Sequence, residues 1–252
     1  MLMIETSAEQ LRLRWRVISA SEFLVGAAIV IGHNVFRVVP NEVPILFVLG
    51  MLSVRLREGR WSAIGFKRPN SWWRIVGIAA AAATIRLLLG AFIVEPVTAY
   101  FWPAIQAPAG AEKIAGNFGV AGVALALIWT FAAFGEEISY RGYLTLRAAE
   151  ALRLFAPRKF EARISNLESE SALRASGKQS ITAFWVATIV VSVLFGYGHY
   201  YKGPAGILDS AIAGFILGSA YLFAGRNLWA AVLAHGFIDT VAVIFAFLGW
   251  SD

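Results

Sequence analysis

Gly135-Glu136-Glu137-Ile138-Ser139-Tyr140-Arg141-Gly142 follows a stretch, residues 118–134, in which no residue is charged. Two carboxylates and a guanidinium at the end of a membrane-length apolar run are costly, and they call for a pairing or a functional explanation. The rest of the chain has the same character. It has 252 residues, 58% hydrophobic and 15% charged, with a mean hydropathy of +0.66, whereas a soluble domain is about a quarter charged. The expected fold class is therefore all-α, a polytopic transmembrane helix bundle. The sequence contains no cysteine, which excludes disulfides, thiolate nucleophiles and cysteine-bound zinc together. The net charge of +6 comes from basic residues between the apolar runs, where they set membrane topology rather than bind nucleic acid.

Working outward from the octet, apolar runs fall at residues 17–38, 75–94, 118–134, 181–197, 205–224 and 228–250, with a short one at 43–54. At roughly 20 apolar residues per spanning helix, this predicts about seven spans, or eight if 143–155 also enters the bilayer. The run from Val17 lacks a clear small-residue cleavage site and reads as the first span. Residues 157–180 are polar and serine-rich and read as a mobile cytoplasmic loop. Arg55, Arg57, Arg60, Lys67, Arg68 and Arg74 mark one cytoplasmic connection, and the basic residues from Arg141 to Lys178 mark another. The N-terminus is thus predicted inside and the C-terminus outside. Ser210, Gly214 and Gly218 put small residues on one face of the sixth span, which lets a neighbouring helix approach closely.

The three histidines are His33, His199 and His235. Glu137 and Arg141, Phe195 and His199, and His235 and Asp239 are each four residues apart, a spacing that places two side chains on one helix face. Glu137–Arg141 is accordingly expected to be an ion pair that holds its helix end. Glu136, turned about 100° away, is left as a general base for water. His199 would orient the same water or ligate a metal. His235 and Asp239 would stabilise the oxyanion of a tetrahedral intermediate or complete a metal shell, so the metal candidates are Glu136, His199, His235 and Asp239. His33 has no obvious partner and reads as structural, while Glu22, Arg86 and Asp209 read as paired or snorkelling.

Glu136-Glu137-x-x-x-Arg141, Phe195-x-x-x-His199 and His235-x-x-x-Asp239, in this order on successive apolar segments, resemble the three motifs of the CPBP intramembrane protease family. That family, also called Abi, includes the type II CAAX prenyl endopeptidases. Phe134-Gly135-Glu136-Glu137, Tyr140-Arg141-Gly142-Tyr143 and the run from Arg226 to His235 extend the likeness, which covers residues 119–243. The resemblance implies a catalytic core of four motif-bearing or packing helices within 118–250, preceded by N-terminal transmembrane helices in 1–117. It implies hydrolysis of a peptide bond within the bilayer, near the cytoplasmic face of a bacterial inner or plasma membrane. The substrate would be a peptide or protein, prenylated at its C-terminus in the CAAX reading or drawn from peptide maturation or immunity in the other. Glu136 and His199 take the positions assigned to water activation, and His235 and Asp239 those assigned to the oxyanion. The class is called both metalloprotease and glutamate protease, so zinc and metal independence both stand. Asp239 departs from the commoner Asn; a carboxylate is a poorer oxyanion donor unless protonated, though a better metal ligand. The loop at 157–180 is a second departure.

Two other functions fit the same residues: a non-catalytic membrane scaffold or immunity protein, and a proton-coupled transporter using Glu22, Arg86, Asp209 and Asp239. One difficulty runs through the expected topology. Glu136 lies near the cytoplasmic face, whereas His199 falls at the far end of its span. Cooperation requires either that residues 118–155 form one long tilted helix, or that Gly196 and Gly198 let the fifth span break around His199.

Overall fold

The computed structural model describes residues 2–103, 111–153 and 170–250. Its principal helices are α1 (Leu2–Asn34) and α2 (Glu42–Arg57), then α3 (Trp72–Phe101) and α4 (Phe118–Leu152). They are followed by α5 (Glu170–Tyr197), α6 (Gly203–Phe223) and α7 (Leu228–Phe247). Four of them start at a side-chain cap. Asn41, Ser71, Asn117 and Asn227 accept from the amides of Val43, Arg74, Val120 and Trp229 at 3.0, 3.4, 3.1 and 3.1 Å, filling donors that a helix start leaves open.

The architecture is the expected helical bundle, with differences in its spans. Among the described residues, five stretches are long and apolar enough to cross a membrane: Leu13–Asn34, Trp72–Phe101, Phe118–Leu152, Tyr200–Phe223 and Leu228–Phe247. The expected seven to eight include two shorter helices besides these five. The α2 helix has 16 residues, about 24 Å at 1.5 Å per residue, and the apolar part of α5, Ile181–Tyr197, is also short. The segment 143–152 adds no separate span because it continues α4, whose 35 residues extend about 52 Å. Residues 170–180, expected within the mobile loop, are the first turns of α5; Glu, Ala, Leu, Arg, Lys and Gln are strong helix formers there. The remainder of that loop, 157–169, lies outside the described residues.

Small residues set the closest approaches. A Cβ on Gly218 would meet the Thr188 side chain, and one on Gly214 would lie 3.2 Å from Ser192 Cα and from the Phe195 ring. The Ser210–Gly214–Gly218 face of α6 therefore packs on α5. The Trp129 indole occupies the space over Gly236 and donates to Thr240 Oγ1 at 3.2 Å, joining α4 to α7. Around the second half of α4 the core includes Leu46, Tyr140, Leu144, Phe184, Val191, Phe195, Tyr221 and Leu228.

Several charged residues within the bundle are paired across helices. Arg147 is fully buried and donates to Glu22 at 2.7 Å, to Glu58 at 2.8 and 3.1 Å, to Glu150 at 3.0 Å and to Ser53 at 2.7 Å. Arg57 adds bonds to Glu22 at 2.7 Å and Glu150 at 3.2 Å. Arg86 pairs with Asp209 at 2.5 Å. Three of the four charges on which a transporter would rest, Glu22, Arg86 and Asp209, are thus engaged in interhelical ion pairs.

Candidate functional site

The acidic octet lies midway along α4, where the helix departs from α geometry. Residues Ile128–Glu136 and Ile138–Leu144 are π-helical. The amide of Thr145 bonds to the carbonyl of Tyr140, five residues back. Stretches of this kind are rare and concentrate at functional sites. Here they carry two consecutive glutamates with different surroundings.

Glu137 is fully buried, and its Oε1 is shared. Arg141 Nη1 donates to it at 2.8 Å, and His235 Nδ1, from α7, lies at the same 2.8 Å. Arg141 is held on its other side by the Gly214 carbonyl at 3.2 Å, which is reachable because position 214 has no side chain. Its guanidinium sits 4.2 Å from the centre of the Phe195 ring. His235 Nε2 faces Asp239 Oδ2 at 3.4 Å, within ion-pair range but long for a hydrogen bond. Glu136 is only partly buried, yet its Oε2 is enclosed and has no hydrogen-bond partner. The charges of His235, Glu137, Arg141 and Asp239 all act on it. A buried carboxylate oxygen left unsatisfied among charged neighbours calls for an explanation beyond packing.

His199 reaches this cluster through Phe195. Its ring is 4.8 Å from that of Phe195, which is 6.3 Å from that of His235. Of the two routes, the helices follow the first. The α4 helix is continuous from Phe118 to Leu152, so Glu136 lies at its middle. The α5 helix stops at Tyr197, and the chain turns through a short 3₁₀ segment, Tyr200–Lys202, into α6. Gly196 permits the turn: a Cβ there would lie 2.5 Å from the Ile207 carbonyl oxygen. His199 Nδ1 lies 3.0 Å from the Phe195 carbonyl. A carbonyl only accepts, so Nδ1 carries the proton and, in the neutral ring, Nε2 keeps its lone pair.

The sequence reading missed Glu42, at the start of α2. It is buried, and its Oε1 accepts from Asn34 at 3.0 Å and from the Tyr140 hydroxyl at 3.5 Å. Its Oε2 lies 3.4 Å from His33 Nε2, so His33 has the partner that helical spacing did not reveal. Tyr140 stacks edge-on against Phe195 at 5.0 Å, and its hydroxyl would be 3.0 Å from a Cβ at Gly198. The N-terminal helices therefore reach the back of the His199 turn. No local spacing signals this contact, because Glu42 and Tyr140 are 98 residues apart.

The metal candidates do not assemble into a ligand set. Among the described residues, no group of three or more His, Asp or Glu side chains is placed to hold a metal ion, and a catalytic zinc takes three protein ligands. His235 already directs both ring nitrogens at carboxylates. As arranged, Glu136, His199, His235 and Asp239 do not fit a zinc site.

Residues 119–241 match a family model described as type II CAAX prenyl endopeptidase Rce1-like. Comparison with curated proteins and with solved structures gave no match.

Proposed function

Residues 119–241 belong to the type II CAAX prenyl endopeptidase, Rce1-like family, and from that premise we propose that the protein is an intramembrane endopeptidase working through Glu136-activated water. The observation that carries this reading is the enclosed, unpartnered Oε2 of Glu136 beside the Glu137–Arg141–His235 cluster. In the proposed mechanism His199 Nε2 accepts from a water molecule and aligns it, and Glu136 takes the second proton as the oxygen attacks the scissile carbonyl. The C–O bond forms as the carbonyl π electrons move onto oxygen. His235 Nε2, loosely held by Asp239, donates to that oxyanion. Asp239 is then a positioning carboxylate rather than a donor, which removes the difficulty raised by the absence of Asn. Collapse of the intermediate breaks the C–N bond, and Glu136 returns its proton to the leaving amine. Glu137 and Arg141 hold His235 and the helix in register. No step uses a metal.

The substrate in this proposal is a peptide or protein ending in a CAAX-type sequence, prenylated in the membrane. The N-terminus and the site's near face are cytoplasmic. Purified protein in lipid nanodiscs with a cleavable reporter tests the reading: Glu136→Ala should lose turnover while keeping its melting temperature. Undiminished cleavage by that variant would overturn the mechanism. Cellular function rescued equally well by wild type and Glu136→Ala would favour a scaffold.

A further inference from the structure

The turn that begins at His199 also carries a cation. Lys202 is exposed, and its stem lies across Gly206, where any Cβ would collide with it. Its ammonium is 5.7 Å from the centre of the Tyr201 ring, and the Tyr201 ring is 6.1 Å from that of His199. Nζ is thus no farther than about 12 Å from the imidazole. Among the described residues, no carboxylate pairs with Lys202. Asp209, on the α6 helix that follows, is taken by Arg86.

The chemistry that suits this cation is a carboxylate. A CAAX sequence sits at the chain terminus, so any bond within it is at most three residues from a free carboxylate, and three extended residues span roughly 10 Å. A bond held at His199 therefore has its terminal carboxylate within a reach comparable to the upper limit on the ammonium's distance. We propose that Lys202 binds the C-terminal carboxylate of the substrate and so confines cleavage to bonds near a free C-terminus. The assignment rests on the hydrolase reading above. A charge-assisted hydrogen bond at the rim of a partly dry site is strong enough to discriminate an acid from a neutral end.

The test uses the full-length protein in nanodiscs and two reporter peptides, identical except that one ends in a free acid and the other in a carboxamide. Wild type should cleave the acid with a kcat/KM about tenfold higher, the difference lying in KM, as expected for one charge-assisted bond. Lys202→Met should bring the two peptides within about twofold, and Lys202→Arg should restore the preference. Equal cleavage of both peptides by wild type, or a full acid preference in Lys202→Met, would overturn the assignment while leaving the hydrolase reading intact. Cleavage of neither peptide would remove both.

Discussion

Glu137 shares one oxygen between Arg141 and His235 and is inaccessible to water, whereas its neighbour Glu136 has an enclosed oxygen with no partner. Opposite consequences follow for the two. Removing one member of a fully buried ion pair leaves the other uncompensated and costs about 3–5 kcal/mol. Glu137→Ala should therefore lower the melting temperature sharply, with activity lost as a by-product. Glu136→Gln removes an unsatisfied carboxylate, so thermal denaturation should show unchanged or raised stability together with abolished turnover. This is the exchange expected where function is held at the expense of the fold. A large drop in melting temperature for Glu136→Gln would instead mark it as a structural group.

The α5–α6 hairpin positions His199, and the glycines between the two helices control it. Gly214 touches Phe195 and Ser192, while Gly218 touches Thr188 farther from the site. Overpacking at either position costs about 1–3 kcal/mol. At equal loss of stability, Gly214→Ala should reduce kcat more than Gly218→Ala, because Phe195 carries the displacement to His199 and Arg141. Similar kcat values in the two variants would show that the hairpin's register does not matter for chemistry. The same elements show what was legible in the sequence. Pairs separated by four residues, Glu137–Arg141 and His235–Asp239, follow from helical periodicity alone, as does the small-residue face of α6. The Glu137–His235 and Glu42–Tyr140 contacts, each across 98 residues, depend on how helices pack. The depth of His199 was illegible for a related reason. Hydropathy marks where a helix is apolar, but not that α4 runs on through a charged stretch in which Glu137 and Arg141 find partners on α7 and α6 as well as each other.

For the whole molecule, the N-terminal helices are integral to the matched region and not an appendage. Glu22 and Glu58 meet Arg147, and Glu42 meets Tyr140. Arg147→Met should destabilise the protein by about 1–3 kcal/mol, because Glu58 loses its partner while Glu22 and Glu150 keep Arg57. Arg147→Lys should fail to restore it, because the guanidinium uses Nε and both terminal nitrogens at fixed angles that an ammonium cannot reproduce. Recovery by lysine would show that only the charge matters. At the same scale, protein stripped of metal by chelation should retain full activity, since the residues at the site do not form a three-ligand set. Activity lost on chelation and regained with zinc would overturn the metal-free mechanism. The Arg147 network also imposes a schedule on synthesis. Glu22 and Arg57 are 35 residues apart, but Arg147 follows Glu22 by 125, roughly 6–25 seconds of translation at 5–20 residues per second. During that interval the first two helices have only each other's charges for neutralisation. They come together as a hairpin before the motif helix exists, and α4 is then received by a template whose acidic side is already waiting for it.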